Sequence, residues 1–375
     1  RLVGGFMLAT AGLSMWISNT ASTMLMLPIA MSSIGLLASQ REKTAEPEAE
    51  HAGRDNFATC LLLGVAYAAS IGGVSTLIGT PPNAFMAGFL EEKGVTIGFA
   101  QWMAVGVPIS ATFLVITWLV LTRWIYPIEN REFPGGRQLI QRELAALGPV
   151  SRGEWTVLVV FLLTALMWVA RKPLTEWTWL IERIPAVKNL NDAVIAVTGA
   201  LALFAIPVDR KRGVFALDWE SAEKLPWGVL LIFGGGLSLA AAVGSCGLTE
   251  WIGGWVGGMG GLPVLAVIAA VVVIVIFLTE LTSNIATTAA FLPILYGVAL
   301  GLGMSEVMLI VPATLAASCA FMLPVATPPN AIVFASRQLT VGQMVRAGLW
   351  LNLIGIVLIL LCIYTLAARV LGIEL

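Results

Sequence analysis

The sequence predicts an all-α polytopic membrane protein: an inverted repeat with two re-entrant helical hairpins and two broken transmembrane helices. Composition is the first observation behind this. Of 375 residues, 58% are hydrophobic and 11% are charged, with a mean hydropathy of +0.91. A soluble domain carries about 25% charged residues, and one core could not hide so much apolar surface from water. Lipid is the consistent solvent. The second observation is a pair of polar motifs that occurs twice, in the same order, inside apolar sequence.

The elements follow in chain order. Apolar segments occupy 2–37, 57–90, 99–126, 153–170, 193–208, 226–258, 263–302, 306–336 and 345–372. A bilayer-spanning helix needs about 20 apolar residues. Segments 2–37 and 263–302 are about twice that length, and each is interrupted near its middle by a Ser-Asn group. Two short helices joined by a polar turn fit this pattern. An arm of about 16 residues at 1.5 Å per residue falls short of a full crossing, so both segments are expected to be re-entrant hairpins. Irregular backbone at that depth is tolerated only within protein or against a water-filled cavity. Arg1 leads straight into an apolar run, without an initiator Met. The expectation is that further N-terminal membrane helices precede it.

Lys and Arg set the orientation. The connections 38–56, 127–152, 209–225 and 337–344 are basic, notably at Arg210-Lys211-Arg212, and are expected in the cytoplasm. This leaves 171–192 outside, with Trp168, Trp177 and Trp179 at a membrane interface, although Arg171, Lys172, Arg183 and Lys188 lie in or beside it. The stretch 38–56, with Glu42, Glu46, Glu48, Glu50, Asp55 and the lone His51, is expected to be a solvated linker. The stretch 136–148 places Leu139, Ile140, Leu144 and Leu147 at helical spacing. It reads as an amphipathic helix on the membrane surface. Cys60, Cys246, Cys319 and Cys362 are far apart, and all four are read as small packing residues. Gly234-Gly235-Gly236 lacks the ending of a phosphate loop and is read as close helix packing or a flexible break. A net charge of −1 gives no field that would attract nucleic acid.

The repeat carries most of the functional information. Ser18-Asn19-Thr20-Ala21-Ser22-Thr23, followed by Leu27-Pro28-Ile29, matches Ser283-Asn284-Ile285-Ala286-Thr287-Thr288, followed by Leu292-Pro293-Ile294. Upstream, Ser14 aligns with Thr279. Gly79-Thr80-Pro81-Pro82-Asn83-Ala84 matches Ala326-Thr327-Pro328-Pro329-Asn330-Ala331. Five apolar spans separate the hairpins, counting the short 193–208. That odd number predicts that the second copy enters from the opposite face, as in many secondary transporters.

A proline pair cannot continue a helix. Half-helices 57–78 and 306–325 are therefore expected, with new helices starting after Asn83 and Asn330. Free carbonyls at the end of one half-helix suit Na⁺, and free N–H groups at the start of the next suit an anion. Ser, Thr and Asn add neutral oxygens for a hard cation and donors for a carboxylate. No Arg or Lys lies in any of the four motifs, so the anion would depend on dipoles, amides and bound cation. Glu280, in an apolar arm, admits two readings: a functional intramembrane carboxylate or a buried partner in the hairpin's own packing. An intramembrane enzyme would need an acid–base or metal constellation that the apolar segments lack. A channel would need a continuous polar stripe rather than four focused points.

These residues resemble the divalent anion/sodium symporter family, across essentially the whole chain. Leu13-Ser14-Met15-Trp16-Ile17-Ser18-Asn19-Thr20 and Ala320-Phe321-Met322-Leu323-Pro324-Val325-Ala326-Thr327-Pro328-Pro329-Asn330 carry the resemblance most clearly. It implies a multi-pass transporter of the cytoplasmic membrane rather than an enzyme, a homodimer with an elevator-type transport domain, and no organic cofactor. Residues 1–126 would be the first repeat of the transport domain (hairpin 1–37, broken helix 57–92, helix 99–126). Residues 127–262 would hold the interfacial and scaffold helices. Residues 263–375 would be the second repeat (hairpin 263–302, broken helix 306–336, C-terminal helix 345–372). By the same resemblance, one Na⁺ site would use Ser14, Ser18, Asn19 and Gly79, and the other Thr279, Thr282, Asn284 and Ala326. Substrate carboxylates would meet Asn19, Thr20, Thr80, Pro81, Asn284, Thr327 and Pro328. The implied activity is Na⁺-coupled symport of C4-dicarboxylates such as succinate, malate and fumarate. The alternatives are a sodium-independent dicarboxylate exchanger, or a citrate or sulfate carrier of the same fold. Ile285 departs from the family's usual Thr and removes one hydroxyl donor.

Overall fold

The structure, a computed structural model, describes residues 1–42, 49–128, 141, 145, 148–225, 227–248, 251, 254 and 263–372. For 37–42 and 49–55 it describes the backbone alone. Most of the expected surface helix 136–148, residues 43–48 of the acidic stretch 38–56 and most of the end of segment 226–258 lie outside the described residues.

The chain is an all-α polytopic membrane protein. Among the described residues, six helices are long and apolar enough to cross a membrane: Asn56–Gly73, Phe99–Ile125, Arg152–Glu176, Gly228–Ser245, Asn284–Gly301 and Val341–Leu371. Among the described residues, a departure from all-α is a short β-ribbon. Pro207–Asp209 (β1) pairs antiparallel with Val214–Phe215 (β2), turning at Gly213 with φ 66°. The sequence analysis places Pro207 and Val208 at the end of the apolar span 193–208 and the rest in the basic connection 209–225, with no strand expected.

The chain divides into two compact units. The first comprises Arg1–Ile97, Gln101–Phe133 and Leu230–Leu375, and it contains both copies of the repeat. In the first copy, helices α1 (Leu2–Ser14) and α2 (Asn19–Glu42) form the hairpin, followed by α3 (Ala49–Gly73), α4 (Pro81–Glu92) and α5 (Phe99–Leu119). Both α2 and α3 run into the expected linker 38–56, so most of that stretch is helical extension. In the second copy, α11 (Val264–Thr279) and α12 (Asn284–Gly301) form the hairpin, followed by α13 (Val307–Ala317), α14 (Pro328–Ala335) and α15 (Val341–Cys362). The arm α12 has 18 residues, longer than the short arms expected.

The two broken helices differ from expectation at both edges of the break. Each first half ends early, at Gly73 and Ala317 rather than near 78 and 325, and each second half begins at Pro81 and Pro328 rather than after the asparagines. The cause is positional. Proline is tolerated in the first helical turn, where its missing N–H would have no partner anyway. The prolines therefore open the second helix, and the break moves upstream. Thr80 and Thr327 hold the N-cap position in extended backbone, at φ −141° ψ 140° and φ −141° ψ 150°.

Packing interlocks the copies. The short helix α4 packs on α12 and α13 of the second copy, while α14 packs on α2 and α3 of the first. The buried Tyr67 of α3 donates to Phe321 O (2.8 Å) and meets the Phe321 ring edge-on at 5.2 Å. Gly106 of α5 and Gly348 of α15 each back a break so closely that a Cβ would strike it: at Val74 O and Ser75 O (2.7 Å) in one copy, and at the Phe321 carbonyl in the other.

The second unit comprises Gly98–Ala100 and Pro134–Val229. Its helices α6 (Arg152–Glu176) and α8 (Asp192–Ala205) pack together, with the short α7 (Thr178–Arg183) between them in sequence. A capping box at Ser151 and Glu154 starts α6. Trp168 is buried and donates to Asp192 O (2.9 Å), so it is a packing residue rather than an interface anchor. Trp177 and Trp179 are exposed. Arg171 pairs with Asp192 at 2.8 Å. A Cβ on Gly199 would lie 2.5 Å from Thr164 Oγ1. Gly199→Leu is expected to destabilise the protein by roughly 1–3 kcal/mol, read as a lower melting temperature.

All four cysteines are free. Cys60, Cys319 and Cys362 are buried as expected, but Cys246 is exposed just beyond the helix Gly228–Ser245 and is no packing residue. The glycine run is settled in favour of packing at Gly236, whose Cβ would lie 2.8 Å from Ala289 and Phe85.

Candidate functional site

Each hairpin tip meets the break of its own copy. In the first copy, Ser14 ends α1, Asn19 begins α2, and Gly79 lies in the break. The Ser14 hydroxyl donates to Ala69 O (2.7 Å). The Asn19 amide meets three oxygens, and its nitrogen donates to them: Ser14 Oγ (2.7 Å), Ala69 O (3.0 Å) and Gly79 O (3.2 Å). Turned over, the same amide would add its oxygen to these three, a neutral oxygen set that could hold a small cation.

Glycine makes this approach possible. A Cβ on Gly73 would collide with the Asn19 side chain and lie 3.0 Å from Gly79 O, and one on Gly79 would collide with Gly73 O. Gly72 is pressed equally hard against the Ala11 backbone of α1.

The second copy repeats the lattice. Thr279 Oγ1 lies 2.8 Å from Asn284 Oδ1 and 3.0 Å from Ala317 O. Thr23 Oγ1 donates to Asn19 O (2.9 Å), and Thr288 Oγ1 donates to Asn284 O (2.7 Å), so each Asn starts its helix under the same constraint. Ala326, buried, stands where Gly79 stands, just before the N-cap threonine.

Other expected residues are placed differently. Ser18 Oγ accepts from Ala21 N (3.2 Å) and serves as a cap. The Thr282 hydroxyl donates to Leu278 O (3.0 Å) and lies 2.6 Å from Thr287 Oγ1. Thr20 and Ile285 occupy the first turns of α2 and α12. Thr80 is buried without a side-chain cap bond, whereas Thr327 Oγ1 accepts from Asn330 N (3.3 Å).

Four helices, α2, α4, α12 and α14, start at the four motifs. Their positive ends favour negative charge. The post-break helices contribute less than expected. Pro81, Pro82, Pro328 and Pro329 have no N–H, and the next amides, at Asn83 and Asn330, are spent on Thr80 O (3.1 Å) and Thr327 Oγ1. Free amides for an anion must come mainly from the first turns of α2 and α12.

The sequence analysis missed the side chains of Asn83 and Asn330 as ligand-positioning groups. Asn83 Nδ2 donates to Val74 O (3.2 Å) and Thr76 O (2.8 Å), and Asn330 Nδ2 donates to Ala320 O (3.1 Å) and Leu323 O (3.0 Å). Each ties a non-helical segment to the helix that follows it. The duplicated Pro-Pro-Asn was the available signal. Asn330→Ala would remove the donor to Ala320 O and leave Leu323 O with Ala326 N (3.2 Å), and is expected to destabilise the protein by about 1–3 kcal/mol, measured as a loss in thermal stability.

The chain matches the model of the sodium:sulfate symporter transmembrane region over residues 1–372. It is 39% identical over 378 residues to the sodium-dependent dicarboxylate transporter SdcS of Staphylococcus aureus (strain USA300), covering 100% of this chain and 70% of that protein. The protein of the same name in Staphylococcus saprophyticus is 39% identical over 377 residues, with the same coverage. Family-wide similarity, the membrane fold and the duplicated Ser/Thr–Asn lattice agree: the chain belongs to the sodium:sulfate symporter family of membrane transporters.

Proposed function

We propose that this protein is a sodium-coupled symporter of C4-dicarboxylates (succinate, malate, fumarate) in the cytoplasmic membrane. The observation that carries the reading is the duplicated hydroxyl–asparagine pair, Ser14 with Asn19 and Thr279 with Asn284, each set against a backbone carbonyl near its copy's helix break (Ala69 O and Ala317 O). The donor set suits a hard, small cation: neutral hydroxyl, amide and carbonyl oxygens. Na⁺ is the transported ion, held by Ser14, Ser18, Asn19 and Gly79 in one site and by Thr279, Thr282, Asn284 and Ala326 in the other. The dicarboxylate lies against Asn19, Thr20, Thr80, Pro81, Asn284, Thr327 and Pro328.

Asn19 and Asn284 belong to both the ion and substrate sets, and no Arg or Lys lies in the motifs. Bound Na⁺ therefore supplies the positive charge that the dianion needs, and this makes substrate binding depend on the cation. Dicarboxylate rather than sulfate is favoured by the 39% identity to transporters named for dicarboxylates. The two copies are inverted relative to one another. They form a transport domain of 1–126 and 263–375 that moves, elevator-fashion, against scaffold helices within 127–262 of a homodimer.

The test is uptake of radiolabelled succinate by proteoliposomes under an inward Na⁺ gradient or with K⁺ substituted. Uptake that requires Na⁺ and is competed by malate or fumarate is expected. Uptake indifferent to Na⁺ but stimulated by internal dicarboxylate would make the protein an exchanger. Transport of sulfate or citrate in place of succinate would overturn the substrate.

A further inference from the structure

The two copies differ at one buried position with a full charge. In the repeat, Glu280 takes the place of Met15. Gly106 and Gly348 back the two breaks, and four residues beyond them stand Ser110 and Asn352. The first copy has Met15 and Ser110 where the second has Glu280 and Asn352.

The exchange changes how the break is held. In the first copy, Val74 N and Ser75 N are satisfied within their own chain segment, by Ile71 O (3.3 Å) and Gly72 O (3.0 Å). In the second copy, the equivalent amides turn to the carboxylate. Glu280 Oε1 accepts from Phe321 N (2.7 Å) and Met322 N (2.9 Å), and Oε2 accepts from Met322 N (3.0 Å) and Leu323 N (3.1 Å). Asn352 Nδ2 donates to Oε1 at 2.7 Å. Every partner is a donor, which fits an ionised carboxylate. Glu280 is 3% exposed, and among the described residues no lysine or arginine pairs with it. Amide dipoles stabilise the ion but leave its net charge in place, next to Thr279 and four residues from Asn284.

We propose that Glu280 makes the two cation sites unequal: the site at Thr279 and Asn284 fills first and holds Na⁺ more tightly than the site at Ser14 and Asn19. The inference rests on the reading that both lattices bind Na⁺. An uncompensated charge in a low-dielectric surrounding attracts a cation more strongly than the same charge in water. One Na⁺ beside Glu280 leaves the substrate-free region neutral, so that ion needs no dicarboxylate. The other ion has no buried carboxylate beside it and is drawn in chiefly by the substrate dianion. Glu280 is thus a positioning residue as well: its bonds to 321–323 fix the loop that leads to Ala326 and Thr327.

The experiment reads Na⁺ binding to the full chain in detergent, without dicarboxylate, as a Na⁺-dependent rise in melting temperature, alongside the Na⁺ dependence of succinate uptake. Asn284→Ala is expected to remove the Na⁺-only shift, and Asn19→Ala to keep its half-saturation within about twofold. Glu280→Gln is expected to raise the Na⁺ half-saturation about tenfold, a loss of roughly 1.4 kcal/mol. The succinate half-saturation at saturating Na⁺ should change much less, a split that general misfolding would not produce. Glu280→Asp is expected to restore most of the Na⁺ response. A Glu280→Gln protein with wild-type Na⁺ half-saturation overturns the inference, as does equal loss of the Na⁺-only shift in both asparagine variants. Should Glu280→Gln fail to fold, the asparagine pair decides alone. Absence of any Na⁺ shift in the unaltered protein, with uptake indifferent to Na⁺, sinks the symport reading along with the inference.

Discussion

Gly73→Ala is expected to reduce Na⁺-dependent uptake by more than about 100-fold, a loss of roughly 2.8 kcal/mol in binding or transition-state terms. A Cβ there would collide with the Asn19 side chain and lie 3.0 Å from Gly79 O. Neither neighbour is the free end of a flexible chain. Gly79 is backbone, itself pressed against the Gly73 carbonyl, and Asn19 is held at the start of α2 by the Thr23 bond to its carbonyl. The methyl group must therefore push the hairpin tip away from the break and separate the oxygens of the first lattice. Overpacking of this kind costs about 1–3 kcal/mol in stability, which a membrane protein of this size is expected to survive. Gly88→Ala is the control. It lies in the same short helix system, in α4, with nothing within 4 Å of its Cβ, and should transport normally. Normal transport by Gly73→Ala would mean that the working protein does not hold Asn19 against Gly79.

Asn19→Ala and Asn284→Ala are each expected to abolish uptake while leaving expression intact. Each side chain is the pivot of its copy: one amide reaches a hydroxyl, Ser14 Oγ or Thr279 Oγ1, at 2.7 or 2.8 Å. Alanine removes an oxygen for the cation and a polar contact for the dianion together. Both asparagines are only partly buried, so truncation leaves a small gap rather than a core cavity, and its main cost falls on binding. The readout is initial uptake rate normalised to protein in the membrane. Normal transport by either variant would contradict the site assignment.

Much of this was legible in the sequence because the signal was doubled. A single Ser-Asn or Pro-Pro pair has ordinary structural uses, but two matched pairs in matched order located both hairpin tips and both breaks. The edges of the breaks were not legible. Proline was read as the terminator of the preceding helix, when it instead opens the following one, and Gly72 and Gly73 had already allowed α3 to end against α1. Nor did the sequence reveal what Asn83 and Asn330 do, because their partners are backbone carbonyls 7 to 10 residues back in a non-helical segment. Glu280 stayed ambiguous for a similar reason: its partners are amides at 321–323 and Asn352, about 40 and 70 residues away, and backbone donors leave no mark in composition. The Trp168 reading failed because its buried partner, Asp192 O, lies 24 residues away, and the Cys246 reading failed because apolar context alone does not show that the helix ends at Ser245.

In the proposed mechanism the cation makes the anion site. Its most direct test is a titration of succinate into the purified full chain by calorimetry at several Na⁺ concentrations, with K⁺ holding ionic strength constant. Succinate affinity is expected to rise with Na⁺, and Na⁺ affinity to rise by the same factor with succinate, because the linkage is reciprocal. Succinate binding of equal strength in Na⁺ and K⁺ would contradict it.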